Sequence, residues 1–241
     1  MPDQLEARIS KDIANTGFPL ELRVADTLRS RGYYVATNVF FIDRDESKAR
    51  EVDIRALRNV FFTHRGMECA VRHCLIVECK KSTNKPWVFF MSRKNGYDQQ
   101  LYQTPCHGAA ASWIATPETL STLERRHPWF RFEYRGRSFY EAFSGGQDTN
   151  PNIWKGLFAA LKGMLDVHRD QFAAGYPFPN ATFYYPLVVL QGDLFVARQT
   201  RRRLIVERAS QVAVSVHFRS SQYEADDRHT VFGIPPIRWT V

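Results

Sequence analysis

Cysteine is scarce in this sequence, and the four present, Cys69, Cys74, Cys79 and Cys106, form no C-x-x-C pair. That spacing excludes a zinc ribbon and a thioredoxin-like redox motif, and a reducing cytosol is the simplest setting for it. No stretch approaches the roughly 20 consecutive apolar residues of a membrane span. Met1 to Asn15 is polar and charged, without the apolar run of a signal peptide, and no basic amphipathic helix of membrane-surface type stands out. A cytoplasmic protein with no membrane partner is the expectation. The seven histidines make neither an H-E-x-x-H nor an H-N-H arrangement. Internal repeats and low-complexity tracts are missing, as are a sequence-reading helix, a methyl-reading domain and a helicase motor.

What is present is a chain of 241 residues, 44% hydrophobic and 14% aromatic, long enough to bury a core in one large domain. Its formal net charge is +8, with arginine prominent in the excess, a balance that suits a polyanionic partner. No break in composition demands a second domain.

The most informative stretch is Leu75-Ile76-Val77-Glu78-Cys79-Lys80-Lys81. Residues two apart in a strand share a face, so Glu78 and Lys80 point one way while Val77 and Cys79 point the other. Charges on the inner face of a buried strand are expensive unless something uses them. A metal ion for Glu78, and an anionic substrate or an attacking water for Lys80, would be such uses. The plainer alternative is a strand running out into solvent with the two residues as an ion pair.

The elements before it read in order. Residues 4–15 predict a short helix with Leu5, Ile9 and Ile13 on one stripe, broken at Thr16-Gly17. Pro19 opens a second helix, about 19–31, with Leu20, Val24 and Leu28 buried and Glu21 bordering that face. Glu21 also suits the helix dipole, which is its plainer role. Strands are expected at 33–42, 51–62 and 71–80. In the second, alternation puts Asp53, with Glu51, on the face opposite Val52 and Ile54.

This order resembles the core of the PD-(D/E)xK nuclease superfamily, the restriction-endonuclease-like fold. The residues that carry the resemblance are Asp53 in Val52-Asp53-Ile54, Glu78 and Lys80 in Glu78-Cys79-Lys80, and Glu21 as the helix acid. Val52 stands where the family usually has proline. The likeness covers residues 16–90, and Thr16-Gly17-Phe18-Pro19-Leu20-Glu21 with Lys85-Pro86-Trp87 is similar to a bacterial subgroup with this core, which implies no substrate. The resemblance implies an α/β fold of order α-β-β-β-α-β, with a mixed central sheet flanked by helices and β-rich C-terminal additions. All 241 residues would form one domain, with the core at 16–90 and 151–190 and elaborations at 95–150 and 191–241.

It also implies a metal-dependent nuclease with Glu21, Asp53, Glu78 and Lys80 catalytic. Asp53, Glu78, the Cys79 main-chain carbonyl and Glu21 would serve Mg²⁺, with Mn²⁺ able to substitute. Lys80 would orient or help deprotonate the attacking water, and Glu51 is a weaker helper. DNA is favoured over RNA, and a role in defence against foreign DNA or in repair is expected. A homodimer or a partner protein is compatible with the sequence. The competing functions are a non-catalytic nucleic-acid-binding module on the same fold and a nuclease subunit active only with a partner. A further alternative is a basic α/β protein whose motif is accidental.

The remaining chain offers weaker signals. Residues 81–94 read as a loop, and 95–115 as a helix whose Gln99, Gln100, Tyr102 and Gln103 imperfectly match a Gln-x-x-x-Tyr motif of some nucleases. Arg125, Arg126, Arg131, Arg135 and Arg137 face only Glu133 in an aromatic segment suited to phosphate contact and base stacking, or to a hairpin packed in the core. Arg201-Arg202-Arg203 could grip a backbone or form a solvated turn. A helix is expected at 151–172, with His168 on its surface. Strands follow at 182–190 and 194–197, joined by a Gly192-Asp193 turn, then at 204–208, 211–218 and 231–240.

Overall fold

Two helices open the chain in the computed structural model, which describes residues 2–64, 66–93, 106–107, 132–144, 151–174 and 180–214. They are α1 (Pro2–Asn15) and α2 (Phe18–Ser30), parted at Gly17. A proline in the first turn of α2 costs no hydrogen bond there. α2 buries Leu20, Val24, Ala25 and Leu28, the stripe its periodicity dictates.

An antiparallel meander follows: β1 (Tyr34–Asp43), β2 (Lys48–His64) and β3 (Met67–Arg93). β4 (Cys106–His107) and β5 (Tyr134–Glu141) come next, then α3 (Pro151–Ala174), β6 (Asn180–Gln199) and β7 (Leu204–Arg208). β6 lies parallel to β3, which needs the crossover that α3 makes. The sheet order is β1-β2-β3-β6-β4, with β5 pairing the distal half of β3 and β7 pairing β6. The chain is thus α/β, with a mixed central sheet.

Among the described residues each face of the sheet is covered by one helix. α3 packs Leu157, Leu161 and Met164 on Phe41, Val52, Cys74 and Ile76. α2 packs on the opposite face against Ile54, Ala56, Leu75, Val77, Cys79 and Leu187. Gly163 lets α3 come close, because a Cβ there would sit 2.6 Å from Val52 Cγ1. Cys69, Cys74 and Cys79 are free and buried, Cys74 in the α3-side layer and Cys79 in the α2-side layer.

Several sequence expectations fail here. Residues 81–93 are not a loop, because β3 continues through them to Arg93. The pairing with β6 is interrupted between Ser82 and Trp87, where the stretch through Lys85-Pro86 breaks the ladder, and the pairing with β5 shifts register between Phe90 and Met91. The Gly192-Asp193 turn does not exist either, and β6 runs unbroken through it. Gly192 is there for clearance: a Cβ would lie 2.2 Å from the Ser82 carbonyl oxygen. Within the expected strand at 211–218 the described residues carry a single bridge, Val214 to Gly136. The helix at 95–115 with its Gln/Tyr motif, Arg125, Arg126, Arg131 and the strand at 231–240 lie outside the described residues. His168 is half-buried, with its ring edge-on to Tyr184 at 5.2 Å. Among the described residues no helix is long and apolar enough to cross a membrane.

Candidate active site

The acids meet where the sheet comes apart. β2 and β3 pair as far as Ile54 and Val77. One step further in the same register sets Asp53 opposite Glu78, but the ladder stops. The Asp53 carboxylate takes over from the lost backbone partner, and Oδ2 accepts a 2.6 Å hydrogen bond from the Cys79 N–H. β1 breaks at the same level. Its pairing with β2 skips Asn38, which stands across from Asp53 and has a left-handed backbone with φ of 55°. Asparagine tolerates that region better than most residues. Its side-chain amide donates to Glu51 Oε1 at 2.6 Å.

This break overturns the expected alternation around Asp53. Val52 packs on the α3 face and Ile54 on the α2 face, so the strand changes sides at Asp53 instead of presenting it opposite both. Glu51 and Asp53 cannot be assigned a common face by counting in twos. Both still act electrostatically on Glu21.

β3 keeps its regular alternation through the site. Val77 and Cys79 join the α2-side core, while Glu78 and Lys80 pair with each other, Nζ to Oε2 at 2.6 Å. The strand does not run out into water: Glu78 is 3% exposed. Its second oxygen, Oε1, is buried with no hydrogen-bond partner among the described residues. Burial pushes the Glu78 carboxyl up to about 7, opposed by Lys80 and reinforced by Asp53. Asp53 is also raised, by burial first, against the pull of the Cys79 N–H and Lys80. Burial works against the Lys80 ammonium, but Glu78 and Asp53 more than offset it and hold its pKa above the ordinary value. The Cys79 thiol is pushed up by burial, so that residue contributes through its main chain and not its sulfur.

Glu21 reaches the cluster from α2. Its carboxyl is raised by burial, then by Asp53 and Glu51. Gly17 leaves it room, since a Cβ there would lie 3.3 Å from Glu21 Oε1. Two long-range bonds dock the helices beside the site: Lys81 Nζ to the Ala14 carbonyl at 2.8 Å, and Arg23 to Gln191 Oε1 at 3.0 Å.

On the other side the site opens into a cleft of about 590 Å³ between the β1–β2 turn and the start of α3. Glu78 and Lys80 form part of its wall, with Arg50, Trp154, Lys155 and Phe158 around them. Gly156 seats the Lys80 stem against α3, because a Cβ would stand 3.3 Å from both Cγ and Cε. The rim is braced by Asp43, which is buried and accepts from Lys162 Nζ at 2.6 Å and Arg50 Nε at 2.7 Å. Sequence reasoning missed Asn38, Gly156, Trp154 and Lys155. A Gly two residues after a Trp in an amphipathic helix was the only available sign, and it says nothing without knowing what α3 faces.

Of the arginines proposed for nucleic-acid contact, the described ones do not gather here. Arg135 is a correction: it is 0% exposed, with its guanidinium donating to the Phe132 and Tyr134 carbonyls, and is a core residue of β5. Arg137 is half-buried and donates to Ser92 Oγ at 3.0 Å. Arg201, Arg202 and Arg203 are exposed on the β6–β7 turn. That turn lies beyond Val188, the β6 neighbour of Glu78, by on the order of 40 Å of strand at about 3.3 Å per residue.

Among the described residues no three His, Cys, Asp or Glu side chains form a metal-binding group. The donors at hand, Asp53 and the unpartnered Glu78 oxygen, fit a hard cation held by two carboxylates that keeps its waters, which is the habit of Mg²⁺. The fold and site thus define an α/β protein with an acid–acid–lysine cluster, centred on the buried Glu78, at the parting of a mixed sheet. Comparison of the chain with protein-family models, curated proteins and solved structures gives no match.

Proposed function

We propose that this chain is a metal-dependent nuclease with a PD-(D/E)xK core, acting on DNA through Asp53, Glu78 and Lys80 with Glu21 in support. The observation that carries the reading is the buried, unpartnered Glu78 Oε1 beside Asp53 and Lys80. A carboxyl held in so costly a state is typical of functional sites. The succession α2, β1, β2, β3, α3, β6, with β6 parallel to β3, is the order the sequence resemblance implies and supports it further.

Asp53 and Glu78 would hold the ion. Bound Mg²⁺ would polarise the scissile phosphate, activate water and offset charge on the leaving oxygen. Lys80, an ammonium at neutral pH, orients the water and stabilises charge on the phosphorane oxygens. Glu21 and Glu51 add negative potential that favours cation entry.

A non-catalytic binding module is the second reading, favoured by the closed Glu78–Lys80 ion pair. Cleavage of plasmid, linear duplex, single-stranded DNA and RNA separates the two readings. The panel is run with Mg²⁺, Mn²⁺ or EDTA, using wild type, Asp53→Ala and Lys80→Ala. Metal-dependent cutting lost in both variants supports the nuclease. Nucleic-acid binding by wild type without any cutting supports the module.

A further inference from the structure

We propose that the cleft beside Glu78 and Lys80 takes an unpaired nucleotide, with Trp154 as the platform for its base and Lys155 as a phosphate contact. This rests on the nuclease reading and narrows its substrate class to single-stranded or frayed nucleic acid.

Trp154 carries the inference. It is a large apolar side chain on the cleft wall, yet it is 42% exposed. Its ring is fixed from behind and not left to swing. Phe139 meets it edge-on at 4.7 Å and Phe158 packs at 4.6 Å. Phe139 in turn packs on the buried Phe89 at 5.8 Å, so the shelf is anchored in the core. A ring with little freedom left to lose is a good stacking surface. The next residue, Lys155, is exposed and has no ion-pair partner among the described residues. The other cleft cations differ in this: Lys162 and Arg50 are both engaged by Asp43. Glu46 is paired with Arg50, which offsets one acid of the rim, and Glu51 accepts from the neutral Asn38 amide.

The restriction to unpaired strands follows from stacking itself. A base inside a duplex already has both faces covered and has none to offer Trp154. Only an unpaired or extruded nucleotide does. The cleft, at about 590 Å³, is in the size range of sites for single small ligands. Trp154 and Lys80 line the same cleft, and Gly156 seats the Lys80 stem against α3, so the shelf and the ammonium face one opening.

The test is binding in EDTA, by anisotropy of labelled oligonucleotides. The probes are a short single strand, the same strand with one abasic position, and a blunt duplex. Full-length wild type, Trp154→Ala and Trp154→Phe are compared, with melting curves to show that each is folded. The expected result is a loss of roughly 5- to 150-fold in single-strand affinity for Trp154→Ala, with most affinity kept by Trp154→Phe. The abasic strand should bind wild type more weakly but the Ala variant no differently. Equal loss on duplex and single strand, no loss on the single strand, or no binding to any probe overturns the inference. The nuclease reading is scored separately. Metal-dependent duplex cutting untouched by Trp154→Ala leaves the nuclease standing and removes the shelf. Trp154-dependent binding without any cutting does the reverse.

Discussion

Replacing Glu78 with glutamine should stabilise the metal-free protein at alkaline pH while removing the proposed nuclease activity. Folding carries the Glu78 carboxyl from an ordinary 4.5 to about 7, with burial the largest cause and Lys80 opposing it. An acid raised in this way holds its proton more tightly in the folded chain. Its contribution to stability is fully present below pH 4.5 and is lost as pH climbs through 7. At about 1.4 kcal/mol per pH unit, the wild type gives up about 3 kcal/mol across that window. Glutamine has no charge to bury and escapes the loss. The pull of Lys80 is already contained in that shift, so losing the ion pair adds no separate cost. Urea unfolding in EDTA should therefore show the two proteins nearly equal at pH 5. At pH 8 Glu78→Gln should be ahead by about 3 kcal/mol. On the proposed reading saturating Mg²⁺ should close or reverse the gap, because the ion would bind only a folded site with its carboxylates intact. A difference that does not change with pH, or a wild type that is the more stable at pH 8 in EDTA, would refute the claim that burial outweighs Lys80 at this residue.

Gly156→Ala should keep or raise helix stability, by up to about 1 kcal/mol, yet lower cleavage roughly 10- to 100-fold, because its methyl group displaces the Lys80 stem. Melting and cleavage rates on the same preparation check both halves. Lys162→Ala should cost about 3 kcal/mol in urea unfolding, since Asp43 stays buried with Arg50 as its remaining charged partner. Lys162 and Arg50 hold the Asp43 carboxyl below its ordinary 3.8 despite burial, so the wild-type advantage should persist above pH 4 and narrow in acid. Arg135→Ala should cost about 2–4 kcal/mol through the carbonyls it leaves unpaired, whereas alanine at Arg201, Arg202 or Arg203 should change stability by less than about 0.5 kcal/mol. Thermal unfolding of the four variants decides it.

The sequence by itself determined the elements whose periodicity is local. The α2 stripe of Leu20, Val24 and Leu28 and the shared face of Glu78 and Lys80 are legible because helix and strand periods are fixed by backbone geometry. β7 falls where its composition put it, at Leu204–Arg208. The juxtaposition of Asp53 with Glu78 followed from two strands joined by a short turn.

Tertiary structure decided what depends on two segments meeting. The switch of faces at Asp53 exists because β1 and β2 break together across from β3, and no single strand encodes that. Gly192 resembles a turn residue until Ser82 is seen beside it. Arg135 resembles a phosphate ligand until the core closes over it. The cleft is assembled from the β1–β2 turn, β3 and α3, which lie far apart in the chain. The desolvation that raises Glu78 has the same origin: it is a property of everything packed around a carboxyl, and the sequence names only the carboxyl.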